Sequence, residues 1–164
     1  MVDEYHNNRE SFVQAFVLFS QVARSVFKYA DSYFYKKANI SLAKFVVLQA
    51  LLVSDRNVTV NDIALFAQTE PHNISTLINR MKKEGLVTTK QGKLNKRVVN
   101  VELTDKGTDV ITKAQPVARQ IVDQVMVTTT EDNLAVFLKQ LNIMNKNTYD
   151  ALGRFYIESR KWAD

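Results

Sequence analysis

Residues 58–107 decide the fold of this chain; they read VTVNDIALFAQTEPHNISTLINRMKKEGLVTTKQGKLNKRVVNVELTDKG. Thr59 and Asp62 have the spacing of a capping box, which predicts that a short helix begins directly after Thr59. Pro71 is typical of the first turn of a further helix, and only Gln68–Glu70 connect the two. Two short helices joined in this way predict a helix-turn-helix, whose second helix fits the major groove of DNA.

The second of these helices is predicted to have one apolar and one polar face. Ile74, Leu77, Ile78 and Met81 recur at helical spacing and form the apolar stripe. Almost every side chain off that stripe carries a hydrogen-bond donor: His72, Asn73, Ser75, Thr76, Asn79, Arg80, Lys82 and Lys83. Such a face can read base edges, although the same pattern also fits a solvated face in a small helical bundle.

A β-hairpin is predicted to follow. The runs LVTTK (86–90) and RVVNVEL (97–103) are typical of short strands, and they flank Gln91–Lys96. A hairpin after a helix-turn-helix makes a winged helix. Its tip concentrates positive charge on Lys90, Lys93, Lys96 and Arg97. Their mutual repulsion is tolerable if the usual neighbour of the tip is the sugar-phosphate backbone or the adjacent minor groove.

The net charge of the chain is concentrated in the same part of the sequence. Residues 71–104 hold seven Lys or Arg against two Asp or Glu, whereas residues 1–70 and 105–164 are each neutral, so the whole formal charge of +5 lies there. Many charge runs are only solvated surface. An excess confined to one segment nevertheless favours a polyanionic partner.

The composition argues against an enzyme, a cofactor and a membrane protein. There is no cysteine, and His6 and His72 have no evident triad or metal partner. The four glycines are scattered and form no phosphate-binding loop. The most apolar segment, 11–27, is interrupted by polar side chains, and the N-terminus does not resemble a signal peptide. The sequence therefore predicts a cytoplasmic protein without catalytic activity.

Residues 58–107 resemble the winged helix-turn-helix core of the MarR (multiple antibiotic resistance regulator) family of transcription factors. The matching features occur in the family's order and spacing: Ile63–Ala64, Arg80–Met81, Gly85–Val87, Arg97 in the wing, and Leu103-Thr104-x-x-Gly107. One position departs from the family pattern. The family's wing has an Asp two residues before its Arg, and Asn95 stands at that position in this chain. A hydrogen bond would have to replace the usual charge pair with Arg97.

The resemblance implies a mainly α fold with a small β-hairpin wing, organised as one unit over residues 1–164. A winged helix-turn-helix at 41–103 would be flanked by an N-terminal dimerisation helix, 10–37, and by C-terminal linker and dimerisation helices, 104–164. Large apolar side chains in both flanking segments fit a two-fold homodimer. The alternative is an ordinary monomeric helical bundle.

The implied function is a sequence-specific regulator of transcription that binds double-stranded DNA at a pseudo-palindromic operator. A homodimeric repressor that responds to a small aromatic or anionic effector is expected; the rival interpretation is a winged helix used as a protein-interaction module. Tyr29, Tyr33 and Tyr35, with Arg24 and Lys28, either line an effector cleft or belong to the core or interface, so no effector residue is assigned. The predicted DNA-binding residues are His72, Asn73, Ser75, Thr76, Asn79, Arg80, Lys82, Lys93, Asn95, Lys96 and Arg97.

Overall fold

Six helices and three short strands make up the computed structural model, which describes residues 9–54, 57–91 and 99–160, with side chains as far as residue 153. In chain order the elements are α1 (Arg9–Ala38), α2 (Leu42–Leu52), β1 (Val58–Thr59), α3 (Val60–Phe66), α4 (Pro71–Lys83), β2 (Val87–Gln91), β3 (Val99–Leu103), α5 (Asp105–Val125) and α6 (Glu131–Arg160). The mainly α fold with a small wing, predicted from the sequence, is confirmed.

The helix boundaries lie where local hydrogen bonding favours them. Ser41 caps α2 by accepting the Lys44 backbone N–H at 3.3 Å. Thr59 and Asp62 form the predicted capping box: the Thr59 N–H donates to Asp62 Oδ2 at 2.9 Å, and the Asp62 N–H donates to Thr59 Oγ1 at 3.2 Å. Pro71 occupies the first turn of α4, where a missing N–H removes no helical hydrogen bond.

The wing is part of a three-stranded antiparallel sheet in the order β1-β3-β2. β2 pairs with β3 so that Val87 faces Leu103 and Gln91 faces Val99. The two residues of β1 pair with Val101 and Asn100 of β3, which ties the start of the helix-turn-helix to the wing. β1 was not predicted, because two residues are too few to show an alternating pattern.

Two clusters of buried side chains hold together the elements from α1 to α5. The larger lies under the winged helix-turn-helix and includes the fully buried Leu48, Ile63, Met81 and Ile111. The smaller joins α1 to α5; its buried members are Ala30, Phe34, Ile40, Ala114, Val117 and Ile121. Phe34 and Phe45 link the two clusters, with stacked rings whose centroids lie 4.4 Å apart.

The Leu103-Thr104-x-x-Gly107 motif has a structural explanation. Leu103 is partly buried against the larger cluster, and Thr104 caps α5 by accepting the Gly107 N–H at 3.0 Å. A Cβ atom at position 107 would lie 2.1 Å from the Leu86 carbonyl oxygen. Because such an approach is sterically impossible, glycine is required there.

The chain divides into two compact units, residues 1–125 and residues 126–164. The second unit is built on α6, whose first turn is capped by Thr130. The sequence-based prediction of one unit over residues 1–164 stays a prediction. Among the described helices, none is long and apolar enough to cross a membrane.

Candidate nucleic-acid interface

Helix α4 is oriented by its apolar side. Ile74, Ile78 and Met81 are buried in the larger cluster, against Ile63 and Ala64 of α3. Gln68, in the turn between the helices, has a left-handed backbone with φ 53°, a conformation that ends α3 and lets the chain turn towards α4. The polar side of α4 must therefore face away from the protein.

All seven residues of α4 that were predicted to bind DNA have exposed side chains. They are His72, Asn73, Ser75, Thr76, Asn79, Arg80 and Lys82, and Lys83 is exposed beside them. His72, Thr76, Asn79 and Lys83 follow one another at spacings of four, three and four, so they form one line along the helix. This line lies opposite the buried stripe and is the part of α4 best placed to meet a groove of DNA.

The two hydroxyl groups on this face are already used as donors. Ser75 Oγ donates to the Pro71 carbonyl at 2.9 Å, and Thr76 Oγ1 donates to the His72 carbonyl at 3.0 Å. In this state each hydroxyl offers an acceptor to a partner, although a hydroxyl can rotate. The sequence-based description of a donor-rich face therefore holds for its amide and cationic groups more than for Ser75 and Thr76.

The wing lies beside α4 and is joined to it by a side-chain hydrogen bond. Lys82 Nζ donates to Thr89 Oγ1 of β2 at 2.9 Å. Lys90 Nζ, one of the cations assigned to the wing tip, forms an ion pair of 2.6 Å with Glu102 of β3. The pairing role of Glu102 was not predicted from the sequence. Four predicted DNA-binding residues, Lys93, Asn95, Lys96 and Arg97, lie outside the described residues.

A cavity of about 630 Å³ lies behind the start of α4, between α1, α2 and the helix-turn-helix. Its wall is largely apolar, with Lys28 and Asp31 as its charged side chains; the full lining is Phe27, Lys28, Asp31, Leu42, Ala43, Val46, Ala67, Thr69, Asn73, Ile74 and Leu77. Asp31 Oδ1 accepts the Leu42 backbone N–H at 2.8 Å, so this carboxylate also caps α2. Asn73 thus borders the cavity as well as lying on the predicted DNA face.

The tyrosines considered as effector ligands take other positions. The Tyr29 and Tyr33 rings lie in a tilted contact with centroids 5.5 Å apart, and their hydroxyls donate to Gln124 and Gln120 of α5, respectively. Tyr35 is largely exposed. Tyr29 and Tyr33 therefore fit the interpretation as core or interface residues. Arg24 and Lys28 were considered together with the tyrosines, and Lys28 lines the cavity.

Within the ranges the structure describes, no group of three or more His, Asp or Glu side chains is placed to hold a metal ion.

Comparison with known proteins identifies the central part of the chain. Residues 38–97 match the sequence profile of the MarR family. No curated protein sequence matches the chain.

Several solved structures have the same fold. Sco3205 from Streptomyces coelicolor, a MarR family transcriptional regulator in complex with DNA, is 19% identical with a TM-score of 0.77, covering 82% of this chain and 86% of its own. The organohalide-sensing regulator RdhR-CbdbA1625 is 26% identical with a TM-score of 0.72, and the match covers 83% of this chain and 80% of that regulator. Bordetella bronchiseptica BpsR, whose DNA binding is regulated by 6-hydroxynicotinic acid, is 20% identical with a TM-score of 0.66. The match covers 78% of this chain and 98% of BpsR.

Proposed function

Since this chain belongs to the MarR family, whose profile it matches over residues 38–97, we propose that it regulates transcription by binding specific sites on double-stranded DNA. Proteins of this family are transcriptional regulators and not enzymes, in agreement with the sequence-based prediction of no catalytic activity. We expect it to act in the cytoplasm as a repressor.

One observation carries the proposal: the exposed polar line of α4 lies opposite the buried side chains Ile74, Ile78 and Met81 and next to the wing. Asn79 and Thr76 have short side chains suited to base edges, whereas Lys82 is long, cationic and suited to phosphates. The occurrence of Sco3205 in complex with DNA supports the same use of this fold. A wing that only docks to protein needs neither a base-reading helix face nor surrounding cations.

Selection from a pool of random duplexes tests the proposal. We expect the full chain to enrich a pseudo-palindromic sequence and to bind it with an affinity that falls steeply as salt rises, because phosphate contacts release counterions. A chain that enriches no sequence and binds with no salt dependence would instead support the protein-interaction module.

The homodimer is proposed from the exposed apolar side chains of α1. Phe12, Phe16, Val17, Leu18, Phe19 and Val22 are each at least 40% exposed. Exposed apolar side chains in this number are typical of an interface, and a second copy with the same surface would cover them by two-fold symmetry. Two copies would carry two α4 helices, which matches a pseudo-palindromic site.

Ligand response is proposed from the cavity behind α4. A molecule in it would touch Phe27 and Lys28 of α1 and also Ile74 and Leu77 of α4, so its binding free energy would depend on how these helices are spaced. An aromatic ring suits the apolar wall, and Lys28 suits an anionic group. The regulation of BpsR by 6-hydroxynicotinic acid makes aromatic carboxylates the first compounds to test.

A cavity-filling variant tests this part of the proposal. Ala43 lines the cavity from α2, so Ala43→Phe should abolish the effect of an aromatic carboxylate on DNA binding while the variant still binds DNA. Lys28→Met should weaken the response to the carboxylate more than the response to its uncharged amide. If both variants respond as the wild type does, the effector site lies elsewhere.

A further inference from the structure

The C-terminal end of α4 is held by charged side chains from two other helices. Lys44 Nζ of α2 donates to both carboxylate oxygens of Glu84, at 2.8 and 2.7 Å. Lys106 Nζ of α5 donates to the Glu84 backbone carbonyl at 2.8 Å, where the helix has its partly negative end. Glu84 therefore links α4 to α2 through its side chain and to α5 through its backbone.

The next two residues are fixed by backbone geometry. Gly85 has φ +73°, and the chain closes α4 with hydrogen bonds from Gly85 N–H to Lys82 O at 3.0 Å and from Leu86 N–H to Met81 O at 2.9 Å. Thr104 Oγ1 donates to the Gly85 carbonyl at 2.7 Å. The Thr104 N–H donates to the Leu86 carbonyl at 3.2 Å, the same oxygen that leaves no room for a side chain at Gly107.

Together these contacts form a joint between the end of α4 and the start of α5, made of Glu84–Leu86, Thr104–Gly107 and Lys44. The base-reading residues lie at a distance from it. At 1.5 Å per residue, Asn79 is roughly 7 Å and Thr76 roughly 12 Å along the helix from Glu84. A tilt of about 10° at the joint would displace Thr76 by about 2 Å, more than the distance range of a hydrogen bond allows.

The same tilt has different consequences for different DNA contacts. The same tilt would displace Asn79 by only about 1.3 Å, but neither short side chain can follow its base edge over such distances, whereas lysine has a long, mobile stem and can follow a phosphate. The orientation of α4 therefore governs discrimination between sequences more than it governs general attraction to DNA.

We propose that Glu84 and Thr104 are positioning residues for sequence recognition: they hold α4 at the angle at which Thr76 and Asn79 reach the bases. The inference rests on the proposed DNA-binding function. If only its charge mattered, Glu84 would weaken DNA binding, because an acid beside Lys82 and Lys83 lowers the attraction of this surface for DNA. As a positioning residue it instead favours binding to the specific sequence. This difference in sign makes the proposal testable.

The test compares Glu84→Gln, Lys44→Met and the double variant in the full chain. Each binds the best duplex selected by the wild type and a random duplex, in a salt titration. Both single variants should lose about tenfold in preference for the selected duplex, and the double variant should lose no more than either single one. Glu84→Gln should keep or increase its affinity for random DNA.

Glu102→Gln is the matched control, because it removes an acid from the wing without touching the joint. It should change affinity for both duplexes by the same factor. Thr104→Val should lower the preference for the selected duplex as Glu84→Gln does. Thr104→Ser should keep the preference of the wild type, because the hydroxyl is retained. The Glu84 and Lys44 side chains are partly exposed, so these two variants remain informative if Thr104→Val fails to fold.

Opposite, sequence-independent effects of Glu84→Gln and Lys44→Met would overturn the proposal, because they would show that only net charge matters. Unchanged preference in all these variants would overturn it as well. A wild-type chain that selects no duplex would contradict the DNA-binding function itself, and that outcome is seen before any variant is made.

Discussion

Helices α1 and α4 are both amphipathic, but the structure covers the apolar side of one and leaves much of the other exposed. In α4, Ile74, Ile78 and Met81 are at most 3% exposed. In α1, Phe16 and Phe27 remain 64% and 65% exposed. A polar side facing water is stable without a partner, whereas an apolar side facing water is not. This difference supports the two proposed roles, α4 as the DNA-binding surface and α1 as the dimer interface.

The largest effect is expected from making α1 polar. Phe16→Gln with Phe19→Gln removes two large apolar side chains from each copy, and burying one phenylalanine contributes roughly 2 kcal/mol. The dimer should weaken by several kcal/mol, with monomers appearing at micromolar concentration in sedimentation velocity experiments. Affinity for a palindrome should fall with it, because the two half-site contacts lose their linkage.

Gln14→Ala is the control for this change, since it alters a polar residue on the same helix. It should leave both the dimer and DNA binding intact. If the double variant sediments as the wild type does, the exposed side of α1 is not the interface, and the monomeric bundle becomes the better description.

A second prediction applies apolar truncation to both helices. Met81→Ala in α4 should lower the free energy of unfolding by about 2–5 kcal/mol, because Met81 is fully buried and the change leaves a cavity. Leu18→Ala in α1 removes a side chain that is 58% exposed within one copy. It should lower the stability of the monomer by about 0.5 kcal/mol or less.

Thermal unfolding at several protein concentrations separates the two effects. The Met81 variant should unfold earlier at every concentration, whereas the Leu18 variant should differ from the wild type only where the wild type is dimeric. Equal loss in both variants at high dilution would show that α1 is packed within one copy.

The features predicted correctly from the sequence depend on neighbouring residues. Thr59 and Asp62 form a capping box because they are three residues apart, and α4 begins at Pro71 for an equally local reason. The apolar spacing of α4 predicted its buried side in the same way. The exposure of the seven predicted DNA-binding side chains of α4 follows from that spacing, since the side of the helix opposite the apolar stripe is the one left outside.

The features that were missed depend on residues far apart in the sequence. Lys44 and Glu84 are 40 positions apart, and nothing in their local patterns indicates that they meet. β1 exists because Val58 reaches Val101, and Gly107 is needed because Leu86 approaches it. The cavity behind α4 likewise depends on how α1 and α2 pack, which no local spacing specifies.

A third prediction concerns the outward line of α4. Asn79→Ala should relax the preference at particular base pairs, with about 1–3 kcal/mol of discrimination lost for each good base contact. Thr76→Ala should do the same at different base pairs. Repeating the selection from random duplexes with each variant measures this directly. Unchanged preference at every position would place the base-reading surface elsewhere.

The smallest effect is expected from single cations that meet only phosphate. Lys82→Ala should weaken binding to selected and random duplexes alike and reduce the slope of log K against log salt by about one unit, because one fewer phosphate is neutralised. Arg97→Ala should act in the same way from the wing, and Lys93→Ala and Lys96→Ala more weakly, since the planar guanidinium of arginine suits phosphate and narrow grooves better. The Lys82 variant also loses the hydrogen bond to Thr89, but replacing an exposed side chain of this kind should change folding stability by about 0.5 kcal/mol or less.

Lys113→Ala on α5 is the control, because it removes the same charge outside the helix-turn-helix and the wing. Its salt slope should match that of the wild type. The salt titrations of Lys82→Ala and Arg97→Ala could instead run parallel to that of the wild type and show equal affinity. That result would mean that the positive charge of residues 71–104 is only solvated surface.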